Sequence, residues 1–255
     1  MGFYRDIVER INHNFSCLFC FFQMTKHLFF DLDRTLWDFD RNSKQALTQL
    51  FSEANLQESS LDFDEFHNHY VGVNASLWQA YGNKEITKDH LRTERFRKTL
   101  EKWKLHDENL VTHFSDGYVE ISPKQTILFP NTIETLEELK RNGYVMHIIT
   151  NGFKEVQYTK LENCKLRSFF DIIVCSEEIG INKPAPEIFH FSMNKAQTNT
   201  ANSTMIGDDY EVDILGAERV GMRAFHFNPQ IKESQIKHIN QITNLNQLPR
   251  KLVGL

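Results

Sequence analysis

From about residue 126 to residue 228 the chain keeps a strand–helix rhythm that restricts its fold more than any other feature. Short runs rich in β-branched and aromatic residues occur at YVMHIIT (144–150), DIIVCS (171–176), TMIGD (204–208) and RAFHFN (223–228). Segments of helical length and pattern separate them, at 132–141, 153–166, 186–197 and 211–219. Asn142-Gly143 supplies a stop for the first of these helices. A further apolar run, KHLFFD (26–31), stands well upstream. Strands that alternate with helices form a parallel sheet, and strands this apolar need cover on both faces. The predicted fold class is therefore α/β.

The stretch between the first strand and residue 126 has a different period. Apolar residues recur at helical spacing in Ala46-Leu47-Leu50-Phe51, Phe63-Phe66-Tyr70-Val73 and Leu91-Phe96-Leu100-Trp103. Breaks at Asn55–Ser60, Gly82-Asn83 and His106-Asp107 divide it into about four helices. The expected organisation is a catalytic core from 24–39 and 123–255, with an all-helical domain inserted over 40–122. Residues 1–23 are read as a dispensable extension ahead of Met24. Their apolar run, Phe15 to Phe22, is far shorter than the ~20 residues a bilayer requires, and no small-residue cleavage site follows it. Cys17-x-x-Cys20 has no second pair to complete a metal site.

Bulk composition excludes several functions. A formal charge of −5 without a Lys/Arg block argues against a nucleic-acid partner. Four scattered cysteines in 255 residues do not form a disulfide framework. The expectation is a cytoplasmic protein with no membrane partner, a monomer or small homo-oligomer.

Ligands of open parallel sheets bind at the carboxyl ends of the strands. Those ends carry Asp31-Leu-Asp33, Thr150-Asn151-Gly152 and Gly207-Asp208-Asp209, and a loop lysine, Lys183, joins them. Each has a bland reading as a turn, a cap or a solvated charge. Together they describe one site. Asp31, Asp33 and Asp208 offer hard oxygen ligands suited to Mg²⁺. The amides of Thr150-Asn151-Gly152, where a helix begins, offer a cradle for an anion. His67 and His69 lie on different faces of a helix and are poor co-ligands.

In this order the four pieces resemble the haloacid dehalogenase (HAD) superfamily of Mg²⁺-dependent phosphohydrolases. Asp31-Leu-Asp33-Arg34-Thr35 is similar to its first motif, Thr150-Asn151-Gly152 to its second, Lys183 in NKPAPEIF to its third and GDDYEVDILGA (207–217) to its fourth. The resemblance implies a Rossmann-like core with a helical cap, and FFDLDRTLWDFD and LWQAYGNKEITKDHLRTERF look most like bacterial house-cleaning pyrimidine 5′-nucleotidases. It further implies Asp31 as nucleophile and Asp33 as general acid and base. Mg²⁺ would be held by Asp31, the Asp33 carbonyl and Asp208, with Lys183 as a second positive charge. Asp213 is expected either to support the metal's water shell or to cap the following helix, and Asp209 is a weaker candidate for the metal's surroundings. The implied partner is a small phosphorylated metabolite, a nucleoside monophosphate first, with Trp37 or Trp78 against the base. Phosphoglycolate or sugar-phosphate phosphatases, a phosphomutase, a metal-independent dehalogenase and a non-catalytic phosphate-binding protein are the alternatives. The motif ordinarily has Gly where this chain has Arg34, so the turn after Asp33 is expected to suit a side chain, with Arg34 in solvent.

Overall fold

The computed structural model describes residues 26–59, 61–231 and 240–253; the extension at 1–23, with Cys17 and Cys20, lies outside them. Strand β1 (His27–Phe30) is followed by four helices, α1 (Phe39–Glu53), α2 (Phe63–Gly82), α3 (Lys88–Glu101) and α4 (Glu108–Ile121). The chain then alternates through α5 (Thr132–Arg141), β2 (Val145–Thr150), α6 (Lys154–Asn163), β3 (Phe170–Cys175), the single turn α7 (Ser176–Ile179) and α8 (Pro186–Lys195). Next come β4 (Ser203–Gly207), a π-helical turn (Tyr210–Leu215), α9 (Gly216–Arg219), β5 (Arg223–Phe227), β6 (Gln241–Ile242) and α10 (Leu248–Val253).

The six strands form one parallel sheet in the order β3-β2-β1-β4-β5-β6. Chain order reverses on either side of β1, which opens a crevice beyond the carboxyl ends of β1, β2 and β4. Alternate side chains enter different cores, as the pleat requires. Leu28 and Phe30 join Ile148, Ile173 and Phe225 on one face, whereas Phe29 joins Ile149, Val174, Phe189 and Met205 on the other. This two-sided burial accounts for the near-continuous apolar strands.

The helical block has a core of its own, built from Leu47, Leu50, Phe51, Phe66, Phe96 and Phe114. Its helices begin on side-chain caps: Asp38 accepts from Arg41 N, Asp62 from Glu65 N, Thr87 from His90 N and Asp107 from Asn109 N. No helix among the described residues is long and apolar enough to cross a membrane. The segments that join block to core are laced together. Asp38 N donates to Ile127 O (3.0 Å), and Asn42 both donates to Ile127 O (2.8 Å) and accepts from Ile127 N (3.0 Å).

Two departures from the sequence-based expectations bear on the site. The expected helix at 211–219 opens as a π-helical turn, in which Asp209 O accepts from both Asp213 N (2.9 Å) and Ile214 N (3.3 Å). Such wide turns recur at functional sites because they re-aim a side chain. The strand β6 is two residues long, too short for an alternation pattern to reveal.

Candidate active site

The carboxyl end of β1 delivers Asp31 into the crevice, and its amide donates to Ile206 O of the neighbouring strand (2.8 Å). That bond fixes the backbone from which the buried carboxylate projects. Lys183 reaches in from the loop before α8, its Nζ 2.7 Å from Asp31 Oδ1 and 2.7 Å from Asp213 Oδ1. Asp31, Asp208 and Asp213 each place one carboxylate oxygen within 4.8 Å of the others'. Thr35 Oγ1 lies against both Asp31 Oδ2 (3.4 Å) and Asp208 Oδ1 (3.3 Å).

This cluster carries three carboxylates and one ammonium, and its electrostatics follow. Burial, opposed by Lys183 and reinforced by Asp213 and Asp208, pushes the Asp31 carboxyl well above the usual carboxylate range. Burial and then Asp213 push Asp208 up to about 7. Burial raises Asp213 as well, against the pull of Lys183. For Lys183 burial disfavours the charge, but Asp213 and Asp31 outweigh it and its pKa rises. Lys183 is therefore held in its charged form.

Of the two roles expected for Asp213, the structure argues against the cap. Asp213 caps nothing: Asp209 Oδ1 accepts from Glu211 N and Val212 N (3.0 Å each) and serves as the cap. Asp213 instead holds Lys183 and accepts from Asp209 N (3.2 Å). Gly207 makes room for it, because a Cβ there would collide with the Asp213 carboxylate.

The second motif divides its work. Asn151 clamps the lysine loop, accepting from Lys183 N (2.8 Å) and donating to Lys183 O (3.0 Å). Asn151 and Gly152 line the cleft; Thr150 does not. The buried Thr150 hydroxyl accepts from Gly152 N (3.1 Å) and Gln157 Nε2 (2.6 Å), so it ties the turn together instead of facing a ligand.

Asp33 stands apart from the three converging carboxylates. Its side chain accepts from Lys160 Nζ (2.6 Å) and Gln157 Nε2 (2.9 Å), one helical turn apart on α6. Neither residue was singled out from the sequence, where lysines default to solvent. Both are nonetheless buried. The available signal was their i, i+3 spacing just after the Thr150 turn.

Two expectations fail. Trp37 is 0% exposed, belongs to the sheet core and donates from Nε1 to Gln125 O (3.0 Å), so it has no face to offer a base. One face of its ring instead supports Lys160, whose Nζ sits 4.1 Å from the centroid. Trp78 does line the cleft, stacked on Phe153 at 5.0 Å. Arg34 does not avoid the strained backbone: its φ is +64°, in the left-handed region that favours Gly. Its side chain is exposed, as expected, and pairs with Asp40 (2.9 Å) over the Phe39 ring where both line the cleft.

The cleft between sheet and helical block has a volume of about 990 Å³ and joins the acidic cluster to residues of α1–α4. That is the upper end of the range for small-molecule sites. A family profile described as haloacid dehalogenase-like hydrolase matches residues 28–227. The chain is 32% identical over 207 residues to pyrimidine 5′-nucleotidase YjjG of Escherichia coli (strain K12), covering 81% of this chain and 87% of that one. It is 29% identical to the glyceraldehyde 3-phosphate phosphatase of Methanothermobacter thermautotrophicus, covering 86% and 92% respectively. Among solved structures, the HAD-hydrolase YfnB of Bacillus subtilis bound to magnesium superposes with a TM-score of 0.80 at 25% identity, over 91% of this chain and 99% of that one.

Proposed function

The chain belongs to the haloacid dehalogenase-like hydrolases, and from that premise we propose that it is a phosphomonoesterase acting on nucleoside 5′-monophosphates, pyrimidine nucleotides first. The observation that carries the phosphatase reading is the pairing of an acidic cluster with a separately held acid. Asp31, Asp208 and Asp213 bring carboxylate oxygens within 4.8 Å of one another, while Asp33 is held by Lys160 and Gln157.

The donor set fits a divalent cation. Asp31 and Asp208 each carry a carboxylate oxygen within 4.8 Å of the other's, hard donors of the kind Mg²⁺ takes. Burial raises the pKa values of Asp31 and Asp208, and a bound divalent cation would favour their charged forms. Asp31, the Asp33 carbonyl and Asp208 would hold Mg²⁺, with Asp213 acting through Lys183. When bound, the ion supplies the charge that lets a carboxylate meet a phosphate dianion.

In the proposed reaction Asp31 attacks phosphorus in line, the bond to the ester oxygen breaks, and Asp33 delivers a proton to that leaving oxygen. Water then attacks the phosphorylated Asp31, giving its proton to Asp33 and releasing phosphate with the carboxylate restored. Lys183 remains charged throughout and neutralises the oxygens around phosphorus. A metal-independent dehalogenase needs neither a second acid nor a divalent-cation site, so Asp33 together with Asp208 supports phosphoryl chemistry. Likeness to a pyrimidine 5′-nucleotidase supports the substrate class; likeness to a glyceraldehyde 3-phosphate phosphatase supports the runner-up, a small-metabolite phosphatase.

The test is kcat/KM on UMP, dTMP, AMP, glyceraldehyde 3-phosphate and p-nitrophenyl phosphate, with Mg²⁺ and with EDTA. Pyrimidine nucleotides should lead, and EDTA and Asp31→Asn should each abolish turnover of every ester. A lead for glyceraldehyde 3-phosphate would keep the phosphatase and discard the nucleotidase. Asp31→Asn retaining even about a tenth of kcat would remove the nucleophile.

A further inference from the structure

Arg95 on α3 is a charge that phosphoryl transfer leaves unexplained. It is 5% exposed and lines the cleft. Other Lys and Arg side chains of the cleft are accounted for. Arg34 holds Asp40, Arg92 holds Glu155, Lys160 holds Asp33 and Lys183 holds Asp31, while Lys84 and Arg219 are exposed. Arg95 has no carboxylate among the described residues, and its Nε is buried without a hydrogen-bond partner. An unpaired buried charge is expensive, so something must complete it.

Part of the compensation is visible. The guanidinium lies 4.6 Å from the Tyr118 ring centroid and 5.1 Å from that of Phe96. Ring faces stabilise a cation but accept hydrogen bonds poorly, so the Arg95 Nε stays without an acceptor while the charge is partly met. The remaining demand is for oxygen acceptors more than for a full counter-charge. The polar groups nearby are neutral. Tyr118 donates to Ser43 Oγ (2.8 Å), Tyr70 leans on Asn74 Oδ1 (3.5 Å), and all four line the same cleft. Asn74 and Ser43 can both donate and accept, which suits a ring edge of mixed polarity.

We propose that Arg95 is the specificity-determining residue of the helical block, donating to an exocyclic carbonyl oxygen of a pyrimidine base whose phosphate sits at Asp31. This rests on the nucleotidase reading and adds the discriminating contact. UMP, dTMP and CMP all carry such a carbonyl; adenine carries none. A site built to donate rejects a ligand that leaves its donors unpaired.

The experiment measures kcat/KM for UMP, AMP, glyceraldehyde 3-phosphate and p-nitrophenyl phosphate in wild type, Arg95→Met and Arg95→Lys, with a melting curve for each. The ratio of UMP to p-nitrophenyl phosphate should fall about 10- to 100-fold in Arg95→Met, mainly through KM, and the preference for UMP over AMP should shrink with it. Arg95→Lys keeps the charge but loses the planar fork, and should show the same fall in ratio should Arg95→Met not fold. An unchanged ratio in a folded variant overturns the proposal and makes Arg95 a core residue, with the nucleotidase reading intact. Wild type showing no preference for UMP over AMP or p-nitrophenyl phosphate removes that reading instead. A selective loss on glyceraldehyde 3-phosphate, without one on UMP, assigns Arg95 to another acceptor and also overturns the carbonyl contact.

Discussion

Asp33 and Lys160 meet at 2.6 Å across 127 positions of sequence. The Lys160 ammonium also rests on Trp37, so a Trp that faces no ligand still bears on the acid. Lys160→Met should lower kcat on UMP by about 10- to 100-fold with little change in KM, the pattern of an interaction that matters in the transition state. The loss should be smaller on p-nitrophenyl phosphate, whose leaving group needs no proton. Equal losses on both esters would make Lys160 a structural residue only. A second residue, His147, bears on stability. It is buried in β2 beside His27 (2.9 Å), and burial, then His27, lower its pKa from 6.5 to about 4. Because the folded value is depressed, the unfolded chain takes up a proton near 6.5 that the native state refuses until about 4. Its contribution is therefore present above that window and lost as pH falls through it, by up to ~3 kcal/mol. Replacing His147 with Gln should shrink the difference between urea midpoints at about pH 7.5 and about pH 5. An unchanged difference would place the acid sensitivity elsewhere.

Two features join the helical block to the core, one a lacing of the connecting segments and the other a clasp. The first is the lacing of Asp38 and Asn42 to Ile127, where the chain passes between core and helical block. The clasp lies across the cleft, where Lys88 Nζ reaches Glu177 (2.6 Å) and Glu155 (2.8 Å), and Arg92 also pairs with Glu155. Beside these ions Trp78 and Tyr81 close on Phe153. Part-exposed ion pairs hold only ~0.2–1 kcal/mol each and weaken with salt. Lys88→Met combined with Glu155→Gln should raise KM by about 2- to 10-fold while leaving Tm within a few degrees. The wild-type KM should rise toward the variant's as NaCl is raised. A variant KM equal to wild type at low salt would show that the aromatic contacts alone hold the clasp. The four helices of this block were legible because amphipathic spacing and capping residues are local. The clasp was not, because a surface charge does not announce which distant charge it will meet.

At the scale of the whole molecule, the sheet is buried by two apolar clusters and the helical block by a third of its own. Phe114 sits at 0% exposure in that third cluster, against Phe66 and Phe96. Phe114→Ala should cost ~3–5 kcal/mol in the block. Hydrogen exchange should then rise across α1–α4 while β1, β2 and β4 stay protected, if the two cores unfold separately. Exchange rising equally in both would make them one cooperative unit. The sequence by itself determined the parallel sheet, the inserted helices and the acids Asp31, Asp33 and Asp208 at strand ends, because period, capping and strand termini are properties of neighbours. Only the tertiary structure decided that Asp209 caps a turn while Asp213 holds Lys183, that Trp37 is buried and Trp78 is not, and that Lys160 and Arg95 leave solvent. Each of those depends on which side chains from distant segments share one small volume, and there burial and pairing, not local preference, set the outcome.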